Sequence, residues 1–340
     1  MVNTQELETV AQGMVAKGKG ILAADESMGT IKRRFDSIKI ESNEENRRAY
    51  REMLFTTKGI EEAISGVILF DETLRTKASD GTPFAQLLSK KGIMPGIKVD
   101  KGPVEIPNFP GEVVTEGLDG LRARLKEYKE LGAKFAKWRA VISIGDGIPT
   151  YTCLELNAEA LARYAALCQE AGIVPIVEPE VLLDGSHTIE RAQEVTEHTL
   201  KVTFTQLFLQ RVYLEGMILK PSMVVPGKDS PKKASVEEVA ERTIRCLKRA
   251  VPAALPGIAF LSGGQSAESA TEHLNAMNAM GPLPWEVTFS YARALQDPAL
   301  KAWKGDAGNI GAAQKIFYHR AKCNSAARSG SYNKQMEAAA

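Results

Sequence analysis

The sequence predicts a single-domain α/β protein built as a (β/α)8 (TIM) barrel, and three features carry that prediction. Eight short apolar or β-branched runs are spaced along the chain. Longer stretches with apolar residues at helical spacing lie between them. Most runs end in charged residues, and the carboxyl ends of barrel strands are where such folds gather their chemistry. The eight predicted strands are Gly20–Ala24, Gly66–Phe70, Gly96–Val99, Lys134–Trp138, Ile173–Val177, Gly216–Leu219, Ile258–Leu261 and Glu286–Phe289.

Helix ends between the strands support this alternation. Leu154–Gln169 repeats apolar residues on one face, and Val236–Arg249 follows Ser235 with Glu238 three residues later, the pattern of a capping box. An open doubly wound sheet is the alternative, but no Gly-x-Gly-x-x-Gly follows the first strand. We therefore expect one domain over residues 1–340: an N-terminal helix within 1–19, the barrel over 20–325 and a flexible tail over 326–340.

Composition restricts the possible partners. Lys plus Arg number 43 and Asp plus Glu number 42, so the overall charge offers no general attraction for nucleic acid or anionic membranes. Apolar runs such as Val67–Phe70 are far shorter than the roughly 20 residues of a membrane helix. We expect a cytoplasmic protein without nucleic-acid or membrane partners.

Cysteines and histidines are scattered, which argues against a metal or disulfide framework. The four cysteines contain no Cys-x-x-Cys pair and are expected to be reduced. The four histidines never put two on one helix face, so we expect no metal and no cofactor. These residues are Cys153, Cys168, Cys246, Cys323, His187, His198, His273 and His319.

Charged and polar side chains follow most predicted strands. Because strand side chains alternate, Lys137 and Arg139 share one face, as do Glu178 and Glu180, and both pairs should point into the barrel mouth. A single such residue is usually a solvated loop charge, but a whole set is costly to desolvate and indicates a site for anions and proton transfer. The set comprises Asp25, Lys98, Asp100, Lys137, Arg139, Glu178, Glu180, Lys220, Ser262 and Arg293.

Lys220 is the most informative member of this set. It follows Met217–Leu219 and precedes Pro221, so burial should lower its pKa, and Lys98 and Lys137 should lower it further. A neutral amine can attack a carbonyl. The alternative is a lysine that extends from a strand end to water.

Two groups of residues indicate phosphate binding. Gly263 and Gly264 in the segment Leu261–Ser266 allow backbone N–H groups to converge on an anion, with Arg293 as a bidentate partner. Across the mouth, Ser27 precedes the basic run Lys32–Arg34, which is otherwise typical of a solvated helix face. Two such sites around a nucleophilic lysine predict a substrate phosphorylated at both ends.

Six segments together give the chain a family resemblance. They are Gly20–Ser27, Gly96–Gly102, Ala136–Arg139, Val177–Glu180, Leu214–Pro221 and Phe260–Ser266. The chain resembles the class I, Schiff-base fructose-1,6-bisphosphate aldolases from about residue 10 to residue 328. The resemblance implies reversible cleavage of fructose 1,6-bisphosphate to dihydroxyacetone phosphate and glyceraldehyde 3-phosphate, without metal, by a homotetramer.

The resemblance also implies a role for each matching residue. Lys220 matches the Schiff-base lysine, and Glu178 matches the carboxylate that moves protons, with Glu180 tuning it. Asp25 matches the acid that orients the C4 hydroxyl, and Lys137 matches the cation at the reacting hydroxyls. The residues that match substrate and phosphate contacts are Arg139 on the strand face of Lys137, Lys98 toward the C6 phosphate, Ser262, Gly263, Gly264, Ala292 and Arg293 at the C1 phosphate, and Ser27, Arg33 and Arg34 at the other end of the sugar.

The sequence departs from the family pattern at two points. Tyr291-Ala292-Arg293 stands where the family usually has Tyr-Gly-Arg, so an added methyl should weaken phosphate binding modestly at most. No tail residue matches the terminal tyrosine that protonates the enamine in animal and plant members. Tyr332 is not aligned with that role, so the chain resembles shortened bacterial members in which water or Glu178 acts.

Other functions remain open from the residues alone. A transaldolase-like or keto-acid lyase would use the same lysine but needs only one phosphate site or a carboxylate site. A non-catalytic scaffold on the same fold would be expected to have lost part of the set Asp25, Lys137, Glu178 and Lys220, all of which are present.

Overall fold

The computed structural model describes residues 3–339, and eight of its strands close into a parallel barrel. Around the barrel the order is β1, β2, β3, β6, β7, β8, β9 and β10, which pairs again with β1. β4 and β5 form a separate antiparallel ribbon. The strands are β1 Gly20–Ala24, β2 Ile64–Leu69, β3 Met94–Lys98, β4 Gly102–Glu105, β5 Val113–Glu116, β6 Phe135–Ile142, β7 Val174–Val181, β8 Ile218–Leu219, β9 Gly257–Phe260 and β10 Glu286–Tyr291. The predicted barrel is confirmed.

Helices alternate with these strands and form the outer layer. The α-helices are α1 Thr4–Met14, α2 Met28–Ser37, α3 Glu44–Thr56, α4 Asp71–Arg75, α5 Phe84–Lys90, α6 Leu121–Glu130, α7 Tyr151–Glu170, α8 Ile189–Leu209, α9 Val236–Ala250, α10 Ala267–Ala279, α11 Arg293–Trp303 and α12 Ile310–Ala327. Short 3-10 segments occur at Ile60–Glu62, Leu214–Gly216, Ala307–Asn309 and Lys334–Ala339. At the predicted start of α9, the Ser235 hydroxyl accepts the N–H of Glu238 at 3.2 Å.

Strand lengths differ from the sequence prediction where charges enter the barrel. β6 continues to Ile142 and β7 to Val181, so Arg139, Glu178 and Glu180 lie inside strands rather than beyond them. The two strands pair in register from Phe135 and Val174 onward, with Arg139 opposite Glu178. The inward-facing charges interrupt the apolar pattern and therefore conceal the real strand ends from sequence reasoning.

The amino-terminal end of the barrel is sealed by α1. Leu7, Ala11 and Met14 of this helix are buried in one apolar cluster with barrel residues that include Ile68 and Ile176. Asn3 caps the helix by accepting the N–H of Glu6 at 3.3 Å. The first helix thus completes the core that the short strands leave open at this end.

Glycine makes room for large side chains inside the barrel. A Cβ on Gly96 would lie 2.2 Å from Cε2 of Phe135, and a Cβ on Gly20 would lie 2.6 Å from the ring of Phe289. Both phenylalanines are fully buried. These two positions therefore require glycine for packing, because the neighbouring rings occupy the space.

The described part of the expected tail lies against α10 and α12. Residue 326, where the tail was expected to begin, falls inside α12. The N–H of Tyr332 donates to Oδ1 of Asn275 at 2.9 Å, and Arg320 pairs with Glu337. Flexibility of this segment stays a prediction. Within residues 3–339, the helices are too short or too polar to cross a membrane.

Candidate active site

A cavity of about 490 Å³ opens at the carboxyl ends of the barrel strands. Every residue that the sequence analysis assigned to the site lines it, with the exception of Gly264. Gly264 supports the rim instead: its φ of +91° belongs to the left-handed region, and a Cβ there would lie 3.4 Å from Nη2 of Arg293. The strand-end charges that are far apart in sequence therefore surround one space.

Lys220 follows the short strand β8 and is buried beneath this cavity. Its backbone N–H donates to the Val177 carbonyl at 2.8 Å, which fixes the position of the residue after the strand has ended. Its Nζ lies 3.2 Å from Oε1 of Glu178. Burial lowers the pKa of Lys220; attraction to Glu178 opposes this shift and repulsion from Lys137 adds to it.

Lys137 connects two acids above Lys220. Its Nζ lies 2.8 Å from Oδ2 of Asp25 and 3.1 Å from Oε2 of Glu178. Burial alone would lower its pKa, but Asp25 and Glu178 outweigh this and raise it. Conversely, burial would raise the pKa of Asp25, and the nearby Lys137 and Lys220 instead hold it well below its usual range. Lys137 is therefore charged, and Asp25 is ionised.

Glu178 has an oxygen that is available to a ligand. The ammonium of Lys137 approaches Oε2 outside hydrogen-bonding geometry, so this buried oxygen accepts no hydrogen bond from residues 3–339. A buried acceptor without a donor costs free energy, typically about 1–3 kcal/mol. The carboxylate is thus arranged to take a proton or a hydroxyl donor from something bound in the cavity.

Arg139 and Glu180 form the next layer toward solvent. Nε of Arg139 pairs with Oε2 of Glu180, and Asp100 accepts the backbone N–H of Arg139 at 3.2 Å. Burial would lower the pKa of Arg139, but Glu180 more than compensates and raises it. Glu180 therefore forms an ion pair with this arginine, and its influence on Glu178 stays a prediction.

Lys98 is held to one side by an acid of its own loop. Its Nζ lies 2.6 Å from Oδ1 of Asp100 and donates to the Asp100 carbonyl at 2.9 Å. The other oxygen of the Asp100 carboxylate accepts the backbone N–H of Arg139, so one buried acid holds the Lys98 ammonium and the backbone of Arg139.

Ser262, Gly263 and Arg293 form one end of the cavity. Ser262 is buried after β9, while Arg293 begins α11 with an exposed side chain. Gly263 has φ +55°, which directs its backbone in a way that residues with a Cβ rarely adopt. Ala292 has φ −102°, so its conformation does not require glycine and the methyl acts only through its volume.

Ser27 precedes α2, and Arg33 and Arg34 lie on this helix at the rim of the cavity. They were expected across the mouth from Ser262, but β1 pairs with β10, so this group lies beside the Arg293 group instead. Nη1 of Arg34 is 4.0 Å from Oδ1 of Asp297, on the helix that Arg293 begins.

Arg33 is exposed and makes only weak local contacts, including Nε to the Gly29 carbonyl at 3.4 Å. Arg34 is different, because its Nη1 lies 2.5 Å from Oε1 of Glu26. Arg33 is the freer cation for an incoming anion, and Arg34 is oriented by an acid.

Ten residues that line the cavity were not among the predicted site residues, and three of them are polar and buried. Glu26 is buried between Arg34 and Arg51, where arginine attraction outweighs burial and lowers its pKa. Asp100 stands among the strand-end charges but received no role, and Ser290 gave no signal because a single serine in a strand is common. The Ser290 hydroxyl is buried and has no hydrogen-bond partner within residues 3–339.

Tyr332 lies elsewhere. It is buried, its hydroxyl donates to Oε1 of Glu337 at 2.8 Å, and it does not line the mouth cavity. Another cavity of about 520 Å³ lies between α8 and α9, but it is lined by mutually paired surface charges such as Arg242 and Glu190. Only the mouth cavity combines buried lysines, a buried carboxylate oxygen that accepts no hydrogen bond and exposed arginines among the described residues.

Comparisons with known proteins agree on one family. The family model described as fructose-bisphosphate aldolase class-I matches residues 6–340. A probable fructose-bisphosphate aldolase class 1 of Xanthomonas campestris is 60% identical, over 97% of this chain and 99% of the relative. Fructose-bisphosphate aldolase 4, cytosolic, of Arabidopsis thaliana is 54% identical, over 98% of this chain and 85% of the relative.

A solved structure is also similar. It is the fructose-bisphosphate aldolase of Plasmodium falciparum, described in complex with TRAP and a small-molecule inhibitor. Its TM-score against this chain is 0.96 at 51% identity, with 97% of this chain and 95% of that chain covered. The sequence comparisons and the structure comparison therefore identify the same family.

Proposed function

The chain belongs to the class I fructose-bisphosphate aldolase family, and on that premise we propose that Lys220 is the amine that binds the sugar phosphate. The reaction is the reversible cleavage of fructose 1,6-bisphosphate to dihydroxyacetone phosphate and glyceraldehyde 3-phosphate, in glycolysis and gluconeogenesis. The carrying observation is the buried Nζ of Lys220, which lies 3.2 Å from Oε1 of Glu178.

Imine formation follows from this contact. The ammonium of Lys220 first gives one proton to Glu178, at 3.2 Å. The neutral amine then attacks the C2 carbonyl, the N–C bond forms, and one of the two remaining amine protons passes to the carbonyl oxygen. Glu178 returns its proton to the resulting hydroxyl, which leaves as water, and a positively charged imine remains on Lys220. The lowered pKa of Lys220 supplies the free lone pair that the attack requires.

Bond cleavage uses the same carboxylate in the opposite sense. The C4 hydroxyl loses its proton to Glu178, the electrons of the C3–C4 bond move into the imine, and glyceraldehyde 3-phosphate separates from an enamine. Lys137 stabilises the negative charge that develops on the C4 oxygen, and Asp25 keeps Lys137 charged and oriented. Protonation of the enamine by Glu178 or water, followed by hydrolysis, releases dihydroxyacetone phosphate.

The two phosphates would be bound by two separate groups of cavity residues. Ser262, Gly263 and Arg293 bind the C1 phosphate, with Ala292 beside it and Gly264 supporting the rim. Ser27, Arg33 and Arg34 bind the phosphate at the other end, and Lys98 and Arg139 lie on the wall near it. The backbone N–H groups at the start of α2 also favour an anion there.

Reductive trapping tests the assignment of the amine. Borohydride with dihydroxyacetone phosphate should add the triose to the peptide that contains Lys220, as measured by mass spectrometry. Lys220→Ala should lose both the adduct and cleavage, while Lys248→Ala, an exposed lysine on α9, should keep both. An undiminished cleavage rate in Lys220→Ala, or abolition of wild-type cleavage by a chelator, would refute the proposal.

We further propose that the chain acts in the cytoplasm as a homotetramer. A relative that is named cytosolic supports the location. Two consecutive apolar residues at the end of α8, Phe208 at 80% and Leu209 at 62% exposure, support association with other copies. Light scattering on the full chain would give the mass, and a monomer at micromolar concentration would contradict the assembly.

A further inference from the structure

Three side chains with metal-binding atoms meet on the outside of the barrel, where the C-terminal segment crosses α12. His319 and Cys323 lie one turn apart on this helix, and Glu337 reaches them from the segment Lys334–Ala339. One donor atom from each residue lies within 4.8 Å of the other two. Among the described residues 3–339, these three are the set of His, Cys, Asp or Glu side chains close enough together to hold one metal ion.

The spacing of the two helix residues matches a tetrahedral ion. Sγ of Cys323 and Nε2 of His319 are 3.5 Å apart. Zinc bonds of about 2.3 Å to sulfur and 2.0–2.1 Å to nitrogen, at a tetrahedral angle, require a separation of about 3.6 Å. The pair therefore needs almost no rearrangement to hold an ion, and only the carboxylate has to move closer.

The carboxylate is already oriented by neighbouring groups. Arg320 pairs with Glu337, and the Tyr332 hydroxyl donates to its Oε1 at 2.8 Å. Arg320 is itself anchored to α10, because its Nη2 donates to Oγ1 of Thr271 at 2.7 Å. Each carboxylate oxygen can accept a further partner, so these contacts act as the outer hydrogen bonds that usually orient metal ligands.

We propose that His319, Cys323 and Glu337 bind one Zn²⁺ or similar transition-metal ion, which links the C-terminal segment to α12. Imidazole nitrogen, thiolate sulfur and carboxylate oxygen are all zinc ligands, and water completes the fourth position. The residues lie outside the mouth cavity, so the ion has no part in cleavage. Its role is to hold the segment against the barrel.

Binding must release a proton. Zinc binds the thiolate, so the Cys323 thiol must lose its proton when it becomes a ligand. The ion replaces this proton, which passes to solvent, and the affinity therefore rises with pH. The alternative is a weak contact between thiol and imidazole beneath a surface ion pair, which binds no ion.

Cobalt titration of the metal-free full chain tests the site. We expect one ion per chain, a thiolate-to-cobalt charge-transfer band, and displacement of cobalt by zinc. Cys323→Ala should lose the band, and His319→Gln and Glu337→Gln should each weaken zinc binding by at least about 10-fold. Cys246→Ala and His198→Gln remove the same residue types elsewhere and should bind as the wild type does.

Hydrogen exchange provides a second readout that does not depend on activity. Zinc should slow exchange over residues 331–338 in the wild type and leave it unchanged in His319→Gln and Glu337→Gln, two variants at partly exposed positions. The proposal would be overturned if the wild type showed no charge-transfer band or if the band persisted in Cys323→Ala. It would also be overturned if zinc did not change the exchange rate of residues 331–338 in the wild type.

Discussion

The two ends of the barrel are built from the same strands but contain opposite chemistry. Along β6 the inward side chain is Phe135 at the amino end and Lys137 two residues later; along β7, Ile176 is followed by Glu178. One end is closed by α1 and apolar packing, and the other holds buried charges around a cavity. Burying charge costs free energy, so the charged end lowers the stability of the fold, and the apolar packing at the other end offsets this loss.

Residues for stability and residues for chemistry are therefore separated along each strand, not between strands. A shift of two residues along β6 or β7 exchanges an apolar side chain for an ionised one on the same face. Substitutions at the charged end should therefore change activity much more than stability, and substitutions at the apolar end should do the reverse. Four predictions test this division.

The largest expected effect is the loss of activity in Glu178→Gln. The amide removes the group that moves protons, so kcat should fall by about 10²- to 10⁴-fold. The melting temperature should stay within a few degrees, because Lys137 keeps its ion pair with Asp25 and the buried Lys220 can lose its proton when Glu178 no longer carries a charge. Steady-state kinetics and thermal unfolding measure the two effects. A large loss of stability with normal kcat would contradict the expectation that the charged end determines activity more than stability.

The next effect is a loss of stability in Gly96→Ala. The new methyl would overlap the ring of Phe135, at 2.2 Å, and overpacking of this kind costs about 3 kcal/mol. At about 2–4 °C for each kcal/mol, the melting temperature should fall by about 6–12 °C. Gly311→Ala is the matched control, because a Cβ there meets no atom within 4 Å. The folded fraction of both variants should keep the wild-type kcat, and an unchanged melting temperature in Gly96→Ala would contradict the packing argument.

The pH dependence of imine trapping comes third. Burial and Lys137 lower the pKa of Lys220, so the reactive neutral amine should become half-populated below the ordinary lysine value of 10.5. Trapping should therefore rise with pH and level off below that value. Lys137→Met should move the midpoint upward, whereas Leu7→Ala at the apolar end should not move it. Cyanoborohydride trapping rates across a pH series give the midpoint, and a wild-type value at or above 10.5 would be inconsistent with the buried amine.

The smallest effect concerns the exposed rim. Arg33→Ala removes a cation without leaving a buried acid unpaired, so KM for fructose 1,6-bisphosphate should rise by about 10-fold while stability changes by less than about 0.5 kcal/mol. KM for fructose 1-phosphate should not change, since that sugar lacks the second phosphate. Lys32→Ala is the neighbouring control, because Lys32 pairs with Asp36 at 2.7 Å outside the cavity. Equal effects of Arg33→Ala on both sugars would place the second phosphate elsewhere.

Sequence reasoning predicted the barrel and the convergence of its strand-end charges because both follow from periodicity along the chain. It could not predict which cation pairs with which acid. Arg33 and Arg34 are indistinguishable in sequence, yet Glu26 holds only Arg34, because the turn of α2 directs adjacent side chains differently. The continuation of β6 to Ile142 was hidden for a related reason: charged residues that face inward break the pattern by which strands are recognised.

Closure of the barrel floor by α1 affects the order in which substrates can enter and products can leave. With the floor filled by Leu7, Ala11 and Met14, both fragments of the sugar share the mouth as their way out. In the proposed mechanism the triose stays bonded to Lys220 until hydrolysis, so the unattached aldehyde is free to leave before it. In the synthetic direction the proposal has the ketone enter and bond before the aldehyde, which favours an ordered release and loading.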